Sequence, residues 1–249
     1  MQFLSFLYFF LGLIIGSFIN VIIYRVPNNL SIISPRSFCI NCKQKIPFYK
    51  NIPIISFILL KGKCNDCKKN ISYLYPVVEC LIGIVFIIGL SKFQIPESIV
   101  FITISSLLLG ISIIDYKHYI IPYQITVSIL LILIPYIIFY TNIFYHIYGM
   151  LIGLAYLLFI FLLTWFVTKK QPIGFGDIQL ITLLGLWLGP LKILLTIFVA
   201  ACLGIVYWLI LLIINGYSKN QKLPFGTFLS ISSIIIYLIR LNWDLFLIN

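Results

Sequence analysis

Apolar residues in this chain gather into long runs, and charged residues are confined to the breaks between them. The runs predict helices over roughly Phe3–Ile23, Tyr75–Leu90, Ser98–Ile114, Ile121–Tyr140, Tyr148–Val167, Ile178–Gly189, Leu191–Ile214 and Phe225–Arg240. Runs near 20 residues match the thickness of a bilayer's hydrocarbon, where a helix satisfies its own backbone polar groups. The predicted fold is an all-α polytopic membrane protein with about eight transmembrane helices and a small polar insert. Residues 1–23 form the first transmembrane helix, 24–74 the insert, and 75–249 a multi-helix core. Ile178–Gly189 is the short run: at 1.5 Å per residue it makes only about 18 Å of helix. Pro190 and Lys192 interrupt the pattern behind it. Two short helices with a turn at Gly189-Pro190 are the preferred reading, and a single kinked span is the alternative. The first run has no basic segment before it and no small-residue cleavage site, so it reads as a retained helix rather than a signal peptide.

Composition strengthens the membrane reading. The chain has 249 residues, 62% of them hydrophobic and 9% charged, whereas a soluble domain carries about a quarter charged residues. A net charge of +11 would suit a nucleic-acid partner, but nine of the 17 Lys and Arg lie between Arg25 and Lys69. By the positive-inside rule the insert is cytoplasmic. With the N-terminus outside, the cytoplasmic segments are 24–74, 115–120, 168–177 and 215–224, and these hold 14 of the 17 basic residues. Only Lys92, Lys192 and Arg240 fall on the other side. The charge is therefore read as topogenic, with attraction to anionic membrane lipids and no nucleic-acid partner. No pattern in the chain sets an oligomeric state.

The insert contains an internal repeat. Cys39-Ile-Asn-Cys42-Lys-Gln-Lys-Ile46-Pro-Phe48 matches Cys64-Asn-Asp-Cys67-Lys-Lys-Asn-Ile71-Ser-Tyr73 at an offset of 25. Cys39, Cys42, Cys64 and Cys67 offer four thiolates on two turns, which suits a tetrahedral, structural zinc. A redox pair or unused thiols are the alternatives, and the duplicated frame argues against both. An insert this short and polar builds no large core, so a metal would hold it together. Cys80 and Cys202 sit inside apolar runs and read as small packing residues. On the first helix Gly12, Gly16 and Asn20 share one face. That predicts close helix packing with a polar interhelical bond; holding a substrate helix is the alternative. Arg25 follows, where its side chain can snorkel to water. Tyr75-Pro76-Val-Val-Glu79 reads as helix-start chemistry, and contact of Glu79 with a substrate amine is the alternative. His118 and His146 have no nucleophile beside them, so a serine or cysteine triad finds no support.

Two aspartates stand apart. Asp115 ends one apolar run, and Asp177 opens another in Ile173-Gly174-Phe175-Gly176-Asp177, after Lys169, Lys170 and Pro172. A carboxylate at the mouth of a membrane helix is costly to bury and is a functional candidate. Gly174 and Gly176 let the turn bend and pack closely. The predicted orientation puts both acids at the cytoplasmic face. Two carboxylates within a few ångströms of each other cannot both ionise easily and share a proton. One can then draw a proton from water while the other polarises a carbonyl, and either aspartate can take either part. Lys117 can help keep a nearby carboxylate ionised. For each acid alone, the alternative is a helix-end carboxylate facing water.

These residues together resemble the type IV prepilin peptidase family, membrane aspartic peptidases with a G-x-G-D motif. The likeness covers nearly the whole chain. Gly16-Ser-Phe-Ile-Asn-Val-Ile-Ile-Tyr-Arg-Val-Pro27 is similar to the family's first-helix signature, and the two C-x-x-C pairs to its zinc-binding insert. Asn51-Ile-Pro-Ile-Ile-Ser56 and Tyr75-Pro-Val-Val-Glu79 match the segments after each pair. Asp115 with Ile121-Pro122, Gly174-Phe-Gly-Asp177 and Leu223-Pro-Phe-Gly226 match later motifs. The resemblance implies catalytic Asp115 and Asp177, supported by Gly174 and Gly176, in the bacterial inner membrane. It implies cleavage of the basic leader of prepilins or pseudopilins after a glycine, at the cytoplasmic face. The cysteine insert implies a second activity, methylation of the new N-terminal amine with S-adenosylmethionine, for which the residues give no site. Two positions depart from the common pattern: Tyr123 where many members have Asp, and Gln179 where many have Lys. A transporter or ion channel using the aspartates for cations, and a zinc-bearing scaffold of a secretion machine, are the competing classes. The first would place its acids near mid-membrane, and the second would need neither.

Overall fold

A computed structural model of the chain describes residues 2–169, 174–216 and 222–239. Lys170, Pro172, Ile173 and Arg240, which entered the sequence reading, lie outside the described residues. The helices are α1 (Gln2–Arg25), α2 (Ile55–Leu59), α3 (Leu74–Lys92), α4 (Glu97–His118), α5 (Tyr123–Tyr140), α6 (Ile143–Thr168), α7 (Phe175–Leu188), α8 (Pro190–Asn215) and α9 (Phe225–Leu238). Six of them are long and apolar enough to cross a membrane, and α7 and α9 are apolar but shorter, at 14 residues each. The predicted set of about eight apolar helices is thus present, with the short α2 in the insert. It is a multi-pass membrane protein by length and composition of its helices, and the outward faces carry large apolar side chains such as Phe159, Phe166 and Phe198.

The helix ends have local causes. α6 begins at Ile143 rather than near Tyr148 because Asn142 caps it, accepting the Phe144 N–H at 3.0 Å. His146 lies inside that helix, buried, with Nδ1 2.7 Å from the Leu186 carbonyl. Between α7 and α8 the chain turns at Gly189, whose φ of 79° favours glycine, and Pro190 opens α8. The run after Asp177 is therefore two helices rather than one kinked span.

The chain forms two compact units that divide between Gly110 and Ile111, within α4. In the first, α1 lies against α3. A Cβ on Gly12 would sit 2.6 Å from Gly83 Cα, and one on Gly16 would sit 2.7 Å from Glu79 Cα. Asn20 Nδ2 donates to the Tyr75 carbonyl at 3.0 Å. The small-residue face of α1 is thus a packing face with a polar bond, as its spacing predicts. In the second unit α6 meets α7 in the same manner. A Cβ on Gly149 would collide with the Gly185 carbonyl oxygen, and a Cβ on Gly185 with that of Gly149.

Arg25 does not reach for water. It is buried, and its guanidinium donates to the carbonyls of Ser31 (2.8 Å), Pro35 (2.6 Å) and Arg36 (3.4 Å). Its five donors suit this better than interfacial water, because a chain leaving a helix has carbonyls to satisfy. Cys80 is half-buried, but Cys202 is exposed on α8 and packs against no core.

Candidate active site and thiol cluster

Asp115 lies in the last turn of α4 and is 5% exposed. What holds it is the first turn of α9. Its Oδ2 accepts the Thr227 N–H at 2.8 Å, and the Gly226 N–H also donates to the carboxylate. A helix N-terminus has unsatisfied amides and a favourable dipole, so this is where a carboxylate is held most cheaply. The Thr227 hydroxyl lies 3.1 Å from Oδ2 and 2.8 Å from the Ser112 carbonyl. It has one hydrogen for two acceptors. An ionised Asp115 can accept it. A protonated Asp115 can release it to Ser112 and donate its own hydrogen to Oγ1. The cradle therefore accommodates both protonation states. Gly226 leaves the room for this, since a Cβ there would stand 3.1 Å from Asp115 Oδ2. Lys117 is exposed and is not among these partners.

Asp177 occupies the third position of α7, half-buried. Its amide donates to the Gly174 carbonyl at 3.1 Å, and its carboxylate accepts the Gly174 N–H. This is one half of a capping box. Gly174 has φ −70° and ψ 145°, ordinary extended backbone, so the turn uses its small size rather than its freedom to bend. A Cβ there would stand 3.3 Å from Asp177 Oδ2.

Ile121 joins the two acids' helices. A Cβ on Gly176 would lie 3.0 Å from Ile121 Cβ, and one on Gly226 would lie 2.8 Å from Ile121 Cδ1. Both glycine turns thus press on a single side chain, which sets the starts of α7 and α9 beside each other. The two carboxylates are near enough for their charges to interact. Nearby, Gln179 Nε2 donates to Thr126 Oγ1 at 2.6 Å, and Thr126 Oγ1 donates to the Tyr123 carbonyl at 2.9 Å. Gln179 thus forms a neutral link between α7 and α5 through Thr126, to which Tyr123 contributes only its backbone carbonyl. In the sequence reading Ile121 and Gly226 figured only as parts of motifs, with no contact to the acids assigned, and Thr227 was not named. Their signals were present in Leu223-Pro-Phe-Gly226 and Ile121-Pro122, but no spacing rule connects residues 112 positions apart.

The repeat in the insert is a structural repeat as well. In each copy the first cysteine's amide donates to the carbonyl five residues on, Cys39 to Gln44 and Cys64 to Lys69, both at 2.9 Å. Lys43 and Lys68 take the same left-handed turn position, with φ 60° and 57°. The four Sγ atoms lie within 4.8 Å of one another, and Cys39 and Cys67 are 3.9 Å apart. Four sulfurs at about 2.3 Å from a tetrahedral ion would stand roughly 3.8 Å apart, so the cluster can hold a metal ion. Burial pushes the Cys39 thiol up, but the amides of Cys42 and Asn41 and the thiols of Cys42 and Cys64 bring it down to about 7. The Gln44 amide favours the Cys42 thiolate, but desolvation and hydrogen bonds shared with Cys39, Cys67 and Cys64 raise Cys42 to about 11. Cys39 thus ionises more readily than Cys42, and a divalent cation would favour the Cys42 thiolate.

Two family models cover most of the chain. The bacterial peptidase A24 N-terminal domain matches residues 10–93, and the type IV leader peptidase family matches residues 101–209. An Escherichia coli protein named type 4 prepilin-like proteins leader peptide-processing enzyme is 33% identical over 261 aligned positions, covering 91% of each chain. The chain belongs to the type IV leader peptidase family. Its relatives in Dichelobacter nodosus (30% identical; 92% of this chain, 91% of that one) and Pseudomonas putida (28%; 92% and 88%) are each named prepilin leader peptidase/N-methyltransferase. No solved structure matches the chain. The four insert cysteines and Glu79 lie in the first matched segment of this leader peptidase family member, and Asp115 and Asp177 lie in the second. Gly226 and Thr227, which hold Asp115, lie beyond both.

Proposed function

We propose that the protein removes the leader peptide of prepilins or pseudopilins after glycine and then methylates the new N-terminal amine with S-adenosylmethionine. The observation that carries the reading is the convergence of Asp115 and Asp177 at the adjoining starts of α9 and α7. One carboxylate takes a proton from water, and the other, protonated, donates to the oxygen of the scissile carbonyl as the water adds. The proton then passes to the leaving amine and the pair returns to its shared state. Asp115 suits this exchange because Thr227 and Ser112 offer it partners in either state. Both acids sit at helix ends rather than mid-helix, which favours a hydrolase open to cytoplasmic water over a cation transporter.

The distribution of basic residues supports an insert and an active site at the cytoplasmic face of the inner membrane, with the N-terminus outside. Residues 24–74 act as a metal-bearing insert between the first helix and the core of 75–249. The metal is zinc on Cys39, Cys42, Cys64 and Cys67, with no open position, so its part is to cross-link the two hairpins. S-adenosylmethionine supplies the methyl group. The whole reading is tested by incubating the purified protein with a prepilin and S-adenosylmethionine and weighing the product. A product shortened at a glycine and heavier by one methyl group is expected. An intact prepilin would refute the peptidase assignment.

Thr227→Val keeps the N–H donor and removes the hydroxyl. Losing a hydrogen bond to a charged group costs about 1.5–3 kcal/mol, so cleavage should slow about 10- to 100-fold. Thr227→Ser should restore most of the rate. Equal rates in the valine variant and wild type would remove the hydroxyl from the site.

A further inference from the structure

The first unit contains a cavity of about 470 Å³ that shares no residue with Asp115 and Asp177. It lies between α1, α3 and the insert. Small-molecule sites typically run about 300–1,000 Å³. Its wall combines aromatic rings of Tyr24, Phe38 and Tyr75 with amide and basic side chains and two carboxylates, the exposed Asp66 and the buried Glu79.

Glu79 is 7% exposed, and among the described residues no cation pairs with it. Its Oε2 accepts the Ile54 N–H at 2.8 Å, and Ser17 hydrogen-bonds to it as well. A carboxylate has about four acceptor sites, so capacity remains towards the cavity. Helix-start chemistry alone does not explain a group buried this far. Ile54 has φ 59° and ψ −50°, a conformation that a β-branched residue avoids. Strain of this kind costs about 1–3 kcal/mol and collects at ligand sites, where surrounding contacts over-determine it. Here it aims an amide at Glu79.

A second hollow, of about 410 Å³, adjoins the first and shares Ser17, Val21 and Asn51 with it. It runs along the exposed apolar side of α1, past Phe10, Ile14 and Phe18. A greasy groove that opens into a polar chamber fits a hydrophobic helix whose N-terminus carries an amine. The family resemblance implies a cleaved product of that form, a hydrophobic helix behind a free N-terminal amine.

We infer that this cavity is the methylation site, with the processed pilin's first helix in the α1 groove, its amine at Glu79, and S-adenosylmethionine in the chamber. The inference rests on the methyltransferase reading above. The residues fit the cofactor: aromatic faces suit adenine, and rings with a nearby carboxylate suit a sulfonium cation. An N-terminal amine has a pKa near 8 and is mostly ammonium at neutral pH. Glu79 accepts the proton of that ammonium. The freed nitrogen lone pair forms the N–C bond as the C–S bond breaks, with its electron pair left on sulfur as a neutral thioether. Glu79 then gives its proton to water.

The test uses the full chain in detergent or nanodiscs. Tritiated S-adenosylmethionine is photo-crosslinked to the wild type, and the labelled peptides are mapped. Label within residues 17–79 is expected, and label elsewhere overturns the assignment. Glu79→Gln keeps an acceptor for the Ile54 amide but cannot take a proton. Its methylation rate at saturating cofactor should fall about 100-fold or more, while prepilin cleavage stays near wild type. Methylation at the wild-type rate in that variant also overturns the assignment. If the variant fails to fold, the wild-type map decides alone. A wild type that cleaves prepilin but neither binds nor uses the cofactor would remove the methyltransferase reading, and this site with it.

Discussion

Asp115→Asn and Asp177→Asn should each slow prepilin cleavage by at least about 10³-fold, the upper part of the range for a general acid or base. Each substitution is nearly isosteric and keeps an acceptor where the structure needs one. In the first variant the new amide oxygen can still receive the Thr227 N–H, and in the second it can still receive the Gly174 N–H. Both variants should therefore insert, bind metal and melt as the wild type does. What they lose is the proton that the pair passes between water, carbonyl and leaving amine. Groups that act as a unit are not additive, so the double variant should be no slower than either single one. The measurement is the rate of leader removal at matched protein levels, with metal content as the folding control. Full activity in either single variant would discard the paired mechanism. A double variant far slower than both singles would mean that the acids act independently.

Replacing Cys39 and Cys42 by Ser should take the bound metal from one ion per chain to none. Structural zinc in small domains contributes about 10–16 kcal/mol of apparent binding energy, and that energy is folding energy. The insert has little else. Phe48, Tyr49, Ile58 and Tyr73 are largely exposed, and regular structure there is limited to short turns and α2. Limited proteolysis should then cut at Lys43, Lys50 or Lys61 in the variant and spare them in the metal-loaded wild type. Acid should act in the same direction. Ligands must be thiolates, so protons compete with the metal, and retention should fall as pH drops through and below the Cys39 value of about 7. Cys39 and Cys64 also line the chamber beside Glu79, so methylation should suffer more than cleavage. A stoichiometric ion retained by the double variant would refute the four-thiolate site.

Much of this was legible in the residues, for identifiable reasons. Apolar runs report lipid directly, so the helices could be counted. The offset repeat in the insert carried its geometry with it, because equal sequences made equal turns. Gly12, Gly16 and Asn20 declared a packing face through helical spacing. What stayed hidden depended on the chain folding back on itself. Nothing near Asp115 announces that its partners are Gly226 and Thr227, and Ile121 looks like one more apolar residue until two glycine turns close on it. Arg25 misled for a similar reason. A cation at a helix end ordinarily seeks water, and only the path of the following chain offers it three carbonyls instead. The buried carboxylate Glu79 was visible, but the left-handed isoleucine facing it was not.

The twin turns around the cysteines have a consequence for how an ion is captured. Each turn supplies only two sulfurs, so a chain with one copy would have to borrow the rest from a neighbour, and its loading would depend on crowding in the membrane. Tethering the copies within one polypeptide turns that encounter into a local event, governed by the linker between them. Loading then becomes a property of the single molecule, however sparsely it is expressed.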